Sequence, residues 1–438
     1  MEPIDTLISA DWVIPIEPRN AVLQDHAVAV RDGQIIAVLP QSEAAQTYTA
    51  AEQITLASHV LLPGLINLHT HAAMSLLRGL ADDLGLMEWL KNHIWPAERR
   101  WLGSDFVYDG TLLACAEMLR GGITCFNDMY FFPEDASRAV RAAKMRATLG
   151  MVVIEAETAY AKTVDEYLNK GLALHDELGD DPRIRTVWAP HAPYTIGDTT
   201  FEKILTFASE LNLGIHTHIH ETRDEIEQSI RQYGLRPLQR LRQLGVLGPN
   251  LNAVHAVHLS AQEIADLAAF GCHVAHCPAS NLKLASGIAP VAGLLEAGVN
   301  VGLGSDGAAS NNRLDLWNEM RLAALIAKGA AENPLSVTAH EALRMATINA
   351  ARALDRDSEI GSLEVGKEAD IVAVDISAVE MTPCYDVASQ LVYVASRRDV
   401  RHVWIGGELL VEQGKLTLLD SHAIRSSALR WQHKIAAS

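Results

Sequence analysis

Apolar and polar positions change rhythm twice along the chain. Between Asp5 and about Leu62 they form short strand-like runs, DTLISADWVIPIE and then AVLQDHAVAVRDGQIIAVLP, in which RDGQ supplies the Asp-Gly turn of a β-hairpin. The style returns near the far end in ADIVAVDIS and LVYVASRRDVRHVWIGGELLVEQGKL, with Gly406 and Gly407 at the turn. These terminal segments, 1–62 and 364–438, predict one composite β-sandwich domain. Over the middle, 63–363, eight short β-rich runs follow one another: VLLPGLINLH, ITCFNDMY, MVVIEA, IRTVWAP, LGIHTHIH, NAVHAVHL, GCHVAHCP and VNVGLGSD. Stretches of helical period such as TFEKILTFASELN and SAQEIADLAAF separate most of them. Eight strands alternating with helices predict an α/β chain built on a (β/α)₈ barrel, whose functional side chains sit at the strands' C-terminal ends.

Five of the runs carry a His or Asp near that end: His69 and His71, His191, His218, His255 and Asp306. Residues two apart on a strand project to one face, so the imidazoles of His69 and His71 can meet one ion. The fifth run offers His216, His218 and His220, and the period alone does not choose among them. His218 is favoured as lying between a deeper and a more solvent-facing neighbour, the other two falling to packing or a substrate rim. His255 has His258 as an alternative three residues on. Asp306 precedes a glycine and read alone is a turn residue. Histidines and a carboxylate converging on one barrel mouth form a nitrogen and oxygen donor set of the kind that holds zinc with room for a water.

Composition narrows the partners. A chain of 438 residues with 49% hydrophobic and 21% charged residues has the balance of an ordinary globular protein. A net charge of -18 repels phosphate, which excludes nucleic acid and anionic membranes as partners and leaves a small neutral substrate. The five cysteines contain no C-x-x-C pair, which argues against a disulfide framework and a thiolate zinc knuckle and for a reducing, cytoplasmic setting. The acidic start and the lack of about 20 consecutive apolar residues agree with that expectation.

LPGLINLHTHAAMSLLRGLADDL, HTHIHET and HCPASNLKLASGIAP with GLGSDGAASNN resemble the amidohydrolase superfamily, more narrowly its methylthioadenosine/S-adenosylhomocysteine deaminases, near the chlorohydrolase and guanine deaminase branches. The similarity spans essentially the whole chain, including GSLEVGKEADIVAVD. It implies that His69, His71, His218 and Asp306 hold a single divalent ion, Zn²⁺. It also implies that Glu221, three after His218, and His255 are catalytic with Asp306. Two-metal members use a modified Lys at the end of strand four, where this chain has His191. His191, with Trp89 in MEWL and Glu98 in HIWPAERR, matches positions that contact the nucleoside, as Glu221 and Asp306 do. One departure is the stretch MVVIEAETAYAKTVDEYLNKG, which lacks the arginines that help hold the sugar and tail in well-known members.

The implied reaction is hydrolytic deamination of a 6-aminopurine nucleoside to its 6-oxo form by a homo-oligomer. Zinc would lower the pKa of a coordinated water from about 15.7 to about 7, with His255 and Asp306 taking its proton and Glu221 supplying one to N1. The H-x-E and P-C-x-x-C signature of polynucleotide-editing deaminases is absent. 5'-Methylthioadenosine fits best, since Met74, Leu76, Leu77 and Met87 after the first barrel strand could cover a thioether, although ordinary helix core explains such a stripe too. S-adenosylhomocysteine and adenosine are further candidates. The rivals are guanine, a triazine or a cyclic amide on the same machinery, and a purine-binding or interaction protein without turnover.

Overall fold

A computed structural model of the chain describes residues 1–437. Four strands open it, β1 (Glu2–Val13), β2 (Leu23–Arg31), β3 (Gln34–Pro40) and β4 (Tyr48–Pro63). Eight follow in the middle: β5 (Leu65–Thr70), β6 (Ile123–Asp128), β7 (Arg146–Val153), β8 (Ile184–Pro190), β9 (Ile215–Ile219), β10 (Leu251–His255), β11 (His273–His276) and β12 (Asn300–Leu303). Four close it, β13 (Ile371–Asp375), β14 (Val400–Ile405), β15 (Glu408–Glu412) and β16 (Lys415–Leu416).

The first and last groups make one sheet in the order β16-β15-β14-β13-β4-β1-β2-β3. Its hairpins turn where the sequence places them. Asp32 and Gly33 take φ of 52° and 77°, and Gly406 and Gly407 take 56° and 74°, the left-handed pairs that two-residue hairpins require. The two tips meet: a Cβ on Gly33 would lie 2.8 Å from the Gly406 carbonyl oxygen, so this crossing admits only glycine. The sheet thereby curls over a shared core of Ile8, Val28, Ile35, Leu61, Ile371 and Trp404, which is the form the expected sandwich takes.

The middle strands pair in parallel as β5 through β12 in sequence order, with helices between them, and form the expected barrel. Its edges close where the Asp306 amide donates to the His69 carbonyl at 3.0 Å. All eight predicted runs hold a barrel strand, but the third is displaced. β7 starts at Arg146 rather than Met151, because its polar opening RATLG is buried throughout. Burial is possible because the Arg146 guanidinium meets Asp370 (Nε to Oδ2, 2.9 Å) and Glu368 (Nη2 to Oε2, 2.7 Å), which lie just before β13. No local pattern could announce partners so distant in sequence.

Two further differences lie near the C-terminus. LVY of the run 391–416 ends the helix Val387–Tyr393, capped by Asp386, which accepts from the Ser389 amide at 3.1 Å. The helix Ser421–Ala436 leaves the sheet and packs on the barrel helix Ser104–Arg120, where Asp109 accepts from Ser427 Oγ at 2.6 Å and Trp431 Nε1 at 2.8 Å.

The Arg146 joint carries a prediction about stability. Arg146→Met leaves the buried Asp370 carboxylate unpaired and is expected to lower stability by about 3–5 kcal/mol. Adding Asp370→Asn keeps the acceptor for the Gly406 amide, 2.8 Å away, and removes the stranded charge. The double variant is expected to recover most of the loss in urea unfolding; equal stability of single and double variants would contradict this reading.

Candidate active site

The strand ends of the barrel bring together the residues singled out by spacing. His69 ends the apolar part of β5, with His71 just past it, His218 in β9, His255 closing β10 and Asp306 three residues beyond β12. Asp306 Oδ1 lies 3.3 Å from His69 Nε2 and 3.4 Å from His71 Nε2, and His218 Nε2 lies 3.3 Å from His69 Nε2. Ligands at zinc bond lengths of about 2.0–2.1 Å in a tetrahedron stand about 3.3 Å apart, a spacing that these three separations match, and His69, His71 and Asp306 form one triad with donor atoms within 4.8 Å of one another. A second triad, His69, His218 and His255, has its nitrogens within 4.8 Å of one another.

Each ring is held by its other nitrogen. His71 Nδ1 donates to the Met129 carbonyl at 2.5 Å, and His218 Nδ1 to the His191 carbonyl at 2.7 Å. His69 Nδ1 meets His216 Nε2 at 2.8 Å. These bonds leave the Nε2 lone pairs of His71 and His218 facing Asp306 and His69. Burial supports that state: it pushes His69 down to about 3 and His218 well below the usual imidazole range. Burial alone would raise Asp306, but its contacts with His69 and His71 hold it well below the usual carboxylate range. Neutral imidazoles and an ionised carboxylate are what a divalent cation requires of this donor set.

Beside the cluster, His255 Nε2 faces Glu221 Oε2 at 3.7 Å, and His255 Nδ1 meets Asn281 Oδ1 at 2.9 Å. Burial raises the Glu221 carboxyl, which the nearby His255 only partly offsets. Both His255 and Asp306 have left-handed backbones, φ 70° and 60°, at the point where their strands end. Such conformations in residues other than glycine cost about 1–3 kcal/mol each and persist where the surroundings fix them.

The other fifth-strand histidines go elsewhere. His216 is fully buried behind His69. His220 is buried too, not solvent-facing: β9 has ended, its φ is 56°, and its ring spans the Leu238 amide (3.0 Å) and the His258 carbonyl (3.0 Å). His258 donates to the Ser286 carbonyl at 2.7 Å.

The long segment after β5 carries Trp89 and Glu98. Glu98 Oε1 accepts from Tyr130 OH at 2.7 Å, and the Tyr130 ring lies 6.3 Å from that of His71. Burial pushes the Glu98 carboxyl up to about 7. Trp89 is buried and its indole N–H has no protein partner; among the described residues no hydrogen bond or ring contact joins it to the histidines. His191 donates through Nδ1 to Thr195 Oγ1 at 3.0 Å, and its ring lies 5.1 Å from that of His218. Met74 and Leu77 are buried, and the Met74 sulfur packs beside Gly307 and His71.

Several supporting residues were not anticipated. Ser280 and Ser310 donate to Asp306 Oδ2 at 2.6 and 2.7 Å, leaving Oδ1 toward the histidines. Glu225 accepts from the His220 and Glu221 amides at 3.0 and 2.9 Å and so fixes the bend that aims Glu221. Thr222-x-x-Glu225 has the pattern of a helix capping box, so Glu225 carried a local signal. The serines carried none.

The amidohydrolase family model matches residues 60–410. The protein of Teredinibacter turnerae named 5-methylthioadenosine/S-adenosylhomocysteine deaminase is 47% identical over 99% of this chain and 98% of its own length. The 5'-deoxyadenosine deaminase of Methanosarcina barkeri is 41% identical over 97% and 96%. The zinc-bound crystal structure of an adenosine deaminase from Xanthomonas campestris is 48% identical and superposes over all of both chains with a TM-score of 0.99. An atrazine chlorohydrolase from Arthrobacter aurescens, also with zinc, is 26% identical over 97% of this chain and 99% of its own, with a TM-score of 0.90. The motif resemblance and these matches agree, and this chain belongs to the amidohydrolase family.

Proposed function

We propose that the chain is a metal-dependent deaminase that converts a 6-aminopurine nucleoside and water to the 6-oxopurine and ammonia, with 5'-methylthioadenosine as preferred substrate. The convergence of His69, His71, His218 and Asp306 beside the Glu221–His255 pair carries this reading. The deaminase names of relatives 41–47% identical over nearly the whole chain support it above the triazine alternative.

His69, His71, His218 and Asp306 would hold one zinc ion, which lowers the pKa of a coordinated water toward neutrality and so supplies a nucleophile for C6. Asn281 keeps the His255 Nε2 lone pair toward Glu221 and the cluster, where it takes a proton together with Asp306. Glu221, whose carboxyl burial shifts toward its protonated form, would give a proton to N1 as the ring loses aromaticity. The proton taken from water goes to the departing ammonia, and the C6 hydroxyl proton returns to Glu221 as the 6-oxo group forms, so that water supplies both protons of the products. His191, Trp89 and Glu98 line the segments over the barrel mouth and would contact the nucleoside; the free indole N–H of Trp89 offers a donor. Five free cysteines, four of them buried, suit a cytoplasmic enzyme, which this reading takes to be a homo-oligomer. No helix of the described residues is long and apolar enough to cross a membrane.

The tail preference rests on the loop after β7. It has no arginine, its Lys162 pairs with Glu157, and Lys170 is bonded to the Tyr160 carbonyl and Glu166. A homocysteine carboxylate finds no open cation there. Ammonia release is therefore expected to give kcat/KM for 5'-methylthioadenosine roughly tenfold above that for S-adenosylhomocysteine, about 1.4 kcal/mol of transition-state binding. Turnover of guanine with none of 5'-methylthioadenosine would overturn the substrate assignment. Chelation should abolish activity and zinc restore it, whereas His69→Ala should stay inactive in zinc; an active His69→Ala would refute the ligand set.

Glu98 yields a pH prediction. Its raised pKa means the folded state favours the neutral acid, so its contribution to stability is lost as pH rises from the ordinary glutamate value toward 7. Glu98→Gln is expected to raise the melting temperature by ~2 °C at pH 8 and to change it little at pH 5. An equal effect at both values would rule out this titration.

A further inference from the structure

Barrel interiors of this kind are normally filled by layers of packed side chains. Here the end opposite the candidate site holds a polar cavity of about 1010 Å³, bordered at the strand starts by Ile184, Gly214 and Asn250 and reaching inward to Asn127, His216 and Asn252. Three buried oxygens on its wall, Asn127 Oδ1, Thr148 Oγ1 and Asn252 Oδ1, have no protein partner.

His216 forms the roof. Its Nε2 lies 2.8 Å from His69 Nδ1, and its Nδ1 lies 2.9 Å from Asn252 Nδ2 and 3.2 Å from Asn127 Nδ2. The direction of these bonds decides whether His69 can bind a cation. If His216 donated through Nε2, His69 would accept at Nδ1 and carry its proton on Nε2, aimed at Asp306 and His218, where no metal could then bind. Ligation requires the opposite order: His69 Nδ1–H donates to His216 Nε2, and His216 Nδ1–H donates onward. Amide nitrogens cannot accept that proton. The amide oxygens of Asn127 and Asn252 can, once an amide turns about its last bond, and both oxygens are otherwise unpartnered.

We propose that His216, with Asn252 and Asn127 behind it, is a positioning residue that fixes the His69 tautomer for metal binding. The inference rests on the reading of His69 as a ligand. A hydrogen-bond acceptor behind a ligating histidine raises its basicity, and losing such a partner typically weakens metal binding 10–100-fold.

Two substitutions separate this role from space filling. A Gln carbonyl reaches the position of the His Nε2 and can accept from His69; an Asn carbonyl reaches only that of Nδ1. Zinc dissociation constants would be measured by chelator competition, with apo melting temperatures confirming that each variant folds. His216→Gln is expected to stay within roughly threefold of the unsubstituted protein and His216→Asn to weaken binding about 10–100-fold. Equal weakening by both, or the reverse order, overturns the proposal. Asn252→Leu, which leaves His216 in place, is expected to weaken zinc binding about tenfold; unchanged affinity overturns the relay. His69→Ala is the control for the underlying reading: zinc binding as tight as in the unsubstituted protein would refute the ligand assignment itself, and deficient binding leaves the His216 variants to decide the inference.

Discussion

Asp306 closes the barrel and completes its donor set with the same few atoms. Its amide donates to the His69 carbonyl across the seam between the last and first barrel strands, and its Oδ1 lies within 3.4 Å of His69 and His71. A carboxylate this buried is tolerated only because every lone pair has an assignment. Ser280 and Ser310 hold Oδ2, the Gly307 amide donates to Oδ1 at 2.8 Å, and the remaining face of Oδ1 is left to His69 and His71. The left-handed backbone at Asp306 belongs to the same constraint, since the chain must turn sharply there to bring carboxylate and amide back to β5. Gly304 shows how tight that return is: a Cβ there would lie 2.8 Å from the His69 Cβ.

What could be read from sequence divides along physical lines. Strand identity and the inward face of His69, His71 and His218 follow from alternation, a property of neighbouring residues, and the Asp-Gly and Gly-Gly turns follow from backbone preference. The start of β7 was hidden because Arg146 is apolar in effect only once Asp370 and Glu368 neutralise it, and they lie more than two hundred residues away. His220 was misplaced for a related reason: alternation was extended past the end of the strand, where the backbone had already turned left-handed. Ser280, Ser310 and Asn281 sit inside motifs noticed for other residues. Their task exists only when the loops after β11 and β12 meet, so no spacing rule could have assigned it.

The two ends of the barrel divide the work. At the strand starts the Arg146 ion pairs tie the barrel to the terminal sheet, and the polar cavity lies within that braced end. At the strand ends the long segment after β5 is tied down by the Tyr130–Glu98 bond and by Met74 packed against Gly307. Rigidity on one side and inserted loops on the other let such a fold keep its ligands while varying its substrate.

The anchors behind the imidazoles show why the site needs the whole barrel. His71 leans on Met129 just after β6, His218 on His191 just after β8, His69 on His216 within β9, and His255 on Asn281 after β11. Each ring is therefore positioned by a strand or loop other than its own. A shift of one residue in any of these registers would turn an anchoring carbonyl or side chain away and release one imidazole. Donor spacings near 3.3 Å are thus a consequence of barrel register.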